Sequence, residues 1–151
     1  MKINNYHRLV KNLAEYSYTI TLTKYTFNGP SLYFHQKALE CQQTEFLSNR
    51  HIEYVYATLV AWGMHRMGPT GAKMPNFDEF KESIIAHKDK LEELRGKRIE
   101  YITGNEIDSI IENLNVICFS IKGSTSKSHL VSGSKTLAHI LPNLVCPMDR
   151  Q

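Results

Sequence analysis

Apolar side chains recur at helical spacing through most of this chain, and this period sets its fold class. Within residues 50–67, Ile52, Val55 and Leu59 share one helical face. Residues 18–27 are rich in β-branched and aromatic side chains and fit either a helix or a strand. The period predicts helices over 4–20, 31–46, 50–67 and 134–141, with two more that begin after Asn76 and Thr103. We therefore predict an all-α protein, a compact bundle of five or six helices.

Two capping boxes support these helix starts. Glu79 follows Asn76 by three residues, and Glu106 follows Thr103 by the same spacing, as is typical of the first turn of a helix. The helix that begins after Asn76 is predicted to continue to Leu94, because apolar residues keep their helical spacing to that point.

The composition indicates one globular domain over residues 1–151. Hydrophobic residues make up 42% of the chain and the mean hydropathy is −0.35, which excludes wholesale disorder. No apolar run approaches the ~20 residues of a membrane-spanning helix, so no membrane association is predicted. The N-terminus lacks the apolar segment of a signal peptide, so we expect a cytoplasmic protein.

Cysteine and histidine spacing predicts neither a metal site nor a cofactor. The three cysteines are far apart and form no C-x-x-C pair, and the seven histidines form no H-x-x-x-H or H-E-x-x-H pattern. The P-loop and nucleophile-elbow patterns are absent as well. The sequence thus contains no complete catalytic motif.

Charge is distributed unevenly along the chain. The net charge is +3 over residues 1–72, −3 over 73–116 and +3 over 117–151. The last part contains a stretch rich in Lys, Gly, Ser and Thr, which we predict to be a basic loop over residues 122–134. A basic segment of this kind is compatible with a nucleic-acid partner, and equally with a plain solvated loop.

A run of small residues follows this loop and suggests an anion site. Ser132, Gly133 and Ser134 are predicted to form the turn that opens the last helix, where free N–H groups bind phosphate. Lys127 and Lys135 would add positive charge. A plain N-cap explains Ser134 equally well.

Lys135 and Asp149 are the candidate catalytic pair of this region. In the first turn of a helix, the positive helix end disfavours the charged form of the Lys135 amine and leaves it nucleophilic. The Asp149 carboxylate, 14 residues later, could stabilise a developing cation or act as a base. The alternative is that Lys135 is a surface phosphate contact and Asp149 a helix cap.

The segment Gly133-Ser-Lys-Thr-Leu-Ala138, followed by Pro147-Met-Asp149, resembles the helix–hairpin–helix motif of base-excision DNA glycosylases. The resemblance covers about 20 residues. It implies an all-α fold, Lys135 as the lysine that forms a Schiff base with the sugar, and Asp149 as the essential aspartate. It also implies that Ser132, Gly133 and Ser134 hold the DNA phosphate. The basic residues Lys127 and Arg150 are further candidates for DNA binding.

A second cluster lies near residue 62. On a continuous helix, Trp62, His65 and Arg66 are i, i+3 and i+4 neighbours and share one face. Such a group could stack a base or another ligand and hold a phosphate. The alternative is that Trp62 anchors the core and the two charged side chains cover its rim.

Two functions are therefore predicted. The first is a DNA-binding helical domain that resembles a glycosylase, with its chemistry incomplete because only two residues follow Asp149. The second is a non-catalytic helical module for protein interaction or structure. It is suggested by the apolar helix faces and by the charge-alternating middle of the chain.

Overall fold

A computed structural model describes residues 29–66, 74–125 and 129–148, and these ranges are entirely helical or irregular, without a strand. The predicted all-α fold is confirmed. The helices are α1 (Pro30–Thr44), α2 (Asn49–Ala61), α3 (Phe77–Ile85), α4 (Lys88–Leu94), α5 (Gly104–Ser120) and α6 (His129–Ile140), with short 3₁₀ turns at Met64–Arg66 and Ile99–Tyr101. Helices α1 and α2 pack against each other, and α6 packs against α1, α2 and α5.

None of the helices in these ranges is long and apolar enough to cross a membrane. The predicted helix over residues 4–20 and the undecided segment 18–27 lie outside the described residues. The predictions over 31–46 and 50–67 are confirmed as α1 and α2, although α2 ends six residues early.

The helix predicted from Asn76 to Leu94 begins as expected but divides in two. The Asn76 side chain accepts a hydrogen bond from the Glu79 N–H at 2.9 Å, which caps α3. At His87 the backbone leaves the helical conformation, with φ −114° and ψ 18°, and α4 restarts after it. Phe80 and Leu91 both remain fully buried, so the break keeps their side chains in the core.

The second capping box begins α5. The Glu106 carboxylate accepts hydrogen bonds from the Thr103 backbone N–H at 3.4 Å and from its hydroxyl at 2.9 Å. Lys97 donates to the same carboxylate at 2.7 Å, and these partners lower the pKa of Glu106. The predicted helix start at Thr103 is therefore confirmed.

The last helix is the central helix of the fold. It begins at His129, so the loop predicted over residues 122–134 is wrong for its last six residues. Every residue from Ser132 to Ile140 is buried, because α1, α2 and α5 surround this helix. A helix buried on all sides has no polar face, and its polar side chains need partners inside the protein.

The hydroxyl groups of α6 find those partners on neighbouring backbone. Thr136 donates to the Ser132 carbonyl at 2.9 Å, and Ser134 donates to the Val131 carbonyl at 3.2 Å. Ser134 also accepts a hydrogen bond from the Met148 N–H at 3.1 Å, which fixes the chain segment after the helix against α6. Small hydroxyl residues thus fit a buried helix without leaving polar atoms unsatisfied.

Helices α5 and α6 approach each other closely at Gly133. A Cβ atom on Gly133 would lie 2.1 Å from the Cys118 carbonyl oxygen. The apolar core then extends from this contact through Ile117 and Leu137 to the buried face of α2. The fully buried large side chains include Ile52, Leu59, Phe80, Ile84, Ile117 and Leu137.

Candidate functional site

A cleft of about 540 Å³ opens between the start of α1, the end of α6 and the segment that follows α6. Most of its wall is apolar, and its polar and aromatic groups are concentrated on α1, α6 and the end of α2. The apolar lining includes Leu32, Ile99, Ala138, Pro142, Leu144 and Val145, and the other lining residues include Ser31, His35, Trp62, His139, Asn143 and Cys146.

Three rings pack against one another along one wall of the cleft, with neighbouring ring planes inclined by 59° and 64°. The ring centroid of His139 lies 4.7 Å from that of Trp62 and 4.9 Å from that of His35. The Lys135 ammonium lies 6.0 Å from the Trp62 ring centroid, at the outer limit of a cation–π contact. Helices α1 and α6 and the end of α2 therefore each contribute one ring to this wall.

His35 and His139 form an imidazole pair joined by a hydrogen bond. Their Nδ1 atoms are 2.9 Å apart, so one ring donates the proton and the other accepts it. The two rings are thereby coupled, because the proton on one Nδ1 excludes a proton on the other when both rings are neutral. His139 is 1% exposed, and its Nε2 has no hydrogen-bond partner among the described residues.

Burial keeps this pair neutral. It lowers the pKa of His35, and together with the nearby His35 and His51 rings it lowers the pKa of His139 to about 3. In the absence of a ligand, the wall of the cleft therefore has hydrogen-bonding imidazoles rather than cations near neutral pH.

A third histidine lies behind the pair. His51 is fully buried, and its Nδ1 accepts a hydrogen bond from the Leu47 N–H at 3.0 Å. A neutral imidazole with an accepting Nδ1 carries its proton on Nε2. Burial lowers the pKa of His51 to about 4, with a smaller contribution from Arg95 and a smaller opposing effect of the His139 backbone.

The predicted phosphate site is not where the sequence placed it. Ser132, Gly133 and Ser134 lie inside α6 rather than at its start, and all three are buried. The prediction that a turn opens the helix at Ser134 is wrong, because α6 begins at His129. The helix interior uses these backbone N–H groups for its own hydrogen bonds.

Lys135 lies in the second turn of α6 rather than in the first, and it is 6% exposed. The positive end of the helix therefore does not act on its amine as predicted, since the helix dipole acts within the first turn. Lys127, Asp149 and Arg150 lie outside the described residues. Their predicted roles, including the pairing of Asp149 with Lys135, stay predictions.

The predicted face of Trp62, His65 and Arg66 is divided by a turn. Helix α2 ends at Ala61, and Gly63 adopts φ +80°, a left-handed conformation that separates α2 from the 3₁₀ turn that contains His65 and Arg66. The Nδ1 of His65 contacts the Val60 carbonyl oxygen at 3.0 Å. The prediction of one helical face is therefore wrong, and only Trp62 is among the described residues of the cleft wall.

The structure nevertheless places two predicted residues, Lys135 and Trp62, near each other. It also places His35 and His139, which the sequence analysis did not select, in the cleft wall. His35 and His139 are 104 residues apart, so no local pattern connects them. One signal was available: His139 follows Lys135 by four residues, which places both on one face of a helix. Among the described residues, no group of three His, Cys, Asp or Glu side chains could hold a metal ion.

No protein-family model, curated protein or solved structure matches this chain. The geometry and chemistry of the cleft are therefore the basis for its function.

Proposed function

We propose that this chain is a helical domain that binds a small, largely apolar ligand in the cleft beside Trp62. The observation that carries the proposal is the hydrogen-bonded imidazole pair of half-buried His35 and buried His139 in the wall of a mostly apolar cleft. Natural ligand sites are concave and mostly apolar, with a few polar groups that fix orientation.

The size and wall of the cleft define the kind of ligand. A volume of about 540 Å³ lies within the range of small-molecule sites. Trp62 is 37% exposed and lies beside the His139 ring, so it offers an aromatic surface to a planar group. His35, on the opposite side of His139, supplies the hydrogen-bonding group.

Binding is favoured over catalysis by the protonation state of the pair. A general base works best when its pKa is near the working pH, whereas the pKa of His139 is about 3. Lys135 is buried at 6% exposure, which leaves its amine little room to attack a substrate. These residues suit recognition of a ligand better than chemistry on it.

We expect a fragment screen by thermal shift, followed by titration calorimetry, to identify planar aromatic ligands. Trp62→Ala should weaken their binding about tenfold or more, because one aromatic contact is worth about 1 kcal/mol beyond its buried area. Phe119→Ala is the matched control, since Phe119 is exposed on α5 and is not among the described residues of the cleft. Circular dichroism should show both variants folded. Equal affinity of Trp62→Ala and the parent protein would contradict the proposal.

DNA binding is the second candidate function. It is supported by the basic C-terminal segment and by the proximity of Lys135 to Trp62, two residues that the sequence selected independently. The burial of Lys135 makes Lys127 and Arg150 the better candidates for phosphate contacts.

An electrophoretic binding series over increasing salt tests the DNA proposal. We expect duplex DNA to bind at low salt, and the salt dependence to decrease by about one unit for each phosphate contact removed, in Lys127→Ala and in Arg150→Ala. Lys88→Ala, an exposed lysine on α4, is the control that should bind like the parent. Lack of binding at low salt would exclude this function.

A further inference from the structure

We propose that the ligand of the cleft is an organic anion, a carboxylate on an apolar and planar body, and that it binds together with one proton taken up by the His35–His139 pair. This inference rests on the proposed binding function and specifies its ligand class. Three independent features of the cleft support it: its charge, the start of α1 and the geometry of the imidazole pair.

The first feature is charge. The described residues of the cleft wall include no Asp or Glu. Its ionisable groups there are His35, His139 and Cys146, and the Lys135 ammonium lies behind Trp62 at 6.0 Å from the ring centroid. A cationic ligand would find no counter-charge among these groups, whereas an anion would meet two imidazoles.

The second feature is the start of α1, which lies in the cleft wall at Ser31 and Leu32. This helix has 15 residues and no acidic residue in its first turn, and its N-cap Gly29 has no side chain. Pro30 has no N–H, and the Leu32 and Tyr33 N–H groups donate to the Gly29 carbonyl, so Ser31 provides the remaining N–H of this turn. The positive end of its dipole therefore acts on the cleft without an internal anion to compensate it.

The third feature is the imidazole pair, which becomes positively charged when it takes up a proton and can then bind an anion. His35 uses Nδ1 toward His139, which leaves its Nε2 as the ring nitrogen for a ligand. When His35 takes up a proton from solvent, both its nitrogens carry hydrogen. Its Nδ1–H then donates to Nδ1 of His139, which keeps its own proton on Nε2, and its Nε2–H donates to the carboxylate.

The other charged groups near the pair set the pH range of this exchange. His51, on α2, contributes to the lowered pKa of His139, while Arg95 and Glu45 act in opposite directions on the pKa of His51. Lys135, on α6, adds a positive charge near Trp62. Burial lowers the pKa of His35 and favours the neutral pair in the free protein. A bound carboxylate opposes these effects and favours the protonated pair.

The test compares two probes of the same shape, 2-naphthoate and its neutral amide, 2-naphthamide. Calorimetry in two buffers of different ionisation enthalpy gives the number of protons taken up on binding. We expect about one proton for 2-naphthoate and none for the amide. The affinity for 2-naphthoate should fall at least about tenfold between about pH 6 and about pH 8, and the affinity for the amide should stay constant.

His35→Asn separates the proton effect from the shape of the site, because asparagine keeps a hydrogen-bonding group toward His139 but does not titrate in this range. It should remove the proton uptake and reduce the affinity for 2-naphthoate to that for the amide. His87→Asn, at the junction of α3 and α4, is the matched control and should leave both unchanged.

The outcomes distinguish this inference from the proposed function. Binding of both probes with equal affinity and without proton uptake overturns the anion inference and leaves the binding function intact. Binding of neither probe, at any pH, overturns both. Unchanged proton uptake in His35→Asn overturns the assignment of the proton to this pair.

Discussion

Replacing Gly133 with alanine is expected to abolish the native fold, or to lower the free energy of unfolding by more than about 3 kcal/mol. The new Cβ would lie 2.1 Å from the Cys118 carbonyl oxygen, 2.8 Å from its Sγ and 2.9 Å from its carbonyl carbon. The oxygen and carbon belong to the backbone of α5, so no side-chain rotation can relieve the contact. Helix α6 would have to move away from α5, although all its residues from Ser132 to Ile140 are buried in the core.

Urea unfolding followed by circular dichroism measures this effect. Gly104→Ala is the matched control, because Gly104 is the first residue of α5 and an added Cβ meets no atom within 4 Å. That variant should be neutral or stabilised by up to about 1 kcal/mol, since alanine favours the helix more than glycine does. Cys118→Ala should not rescue Gly133→Ala, because the backbone oxygen remains. A Gly133→Ala protein as stable as Gly104→Ala would show that the two helices are not in close contact.

Gly133 also shows where sequence reasoning failed. The run Ser132-Gly133-Ser134 is small and polar, which is equally typical of a phosphate-binding turn and of a tightly packed helix. The two interpretations differ only in whether the segment is surrounded by other helices. Burial on all sides depends on contacts with α1, α2 and α5, and no local pattern encodes those contacts.

Helix positions were accessible to prediction because their causes are local. The caps at Asn76 and Thr103 depend on side chains three residues apart, and both were predicted. The end of α2 was missed because Gly63, with its positive φ, interrupts an otherwise helical pattern. That interruption divides the predicted face of Trp62 and His65, and Trp62 lies in the wall of the cleft.

The cleft itself could not be predicted. Its imidazole pair joins α1 to α6 across 104 residues, and the Nε2 of His139 lacks a partner among the described residues only because the fold buries it. Sequence spacing revealed neither. The sequence did identify Lys135 and Trp62 as candidate site residues. The fold places the Lys135 ammonium 6.0 Å from the centroid of the Trp62 ring.

The buried histidines lead to the second large effect, a loss of stability in acid. The pKa values of His51 and His139 fall from 6.5 to about 4 and about 3 on folding, so the unfolded chain binds more protons than the folded protein below about pH 6.5. Stability is complete above that pH, decreases as the pH falls toward these folded values, and levels off below them. At about 1.4 kcal/mol per pKa unit, these shifts correspond to about 3 kcal/mol for His51 and about 5 kcal/mol for His139, which is a large part of the stability of an ordinary domain.

Urea unfolding at a series of pH values measures this loss, and His51→Asn identifies its source. The asparagine oxygen can replace Nδ1 as the acceptor for the Leu47 N–H, but asparagine does not titrate. The variant should therefore lose less stability between about pH 6.5 and about pH 4, with a slope lower by about one proton. His87→Asn should keep the slope of the parent. The carboxyl groups of Glu100 and Glu106 also have lowered pKa values, but they titrate alike in all three proteins and cancel in the comparison. If His51→Asn and the parent lost stability with the same slope, a titrating group other than His51 would have to account for the acid sensitivity.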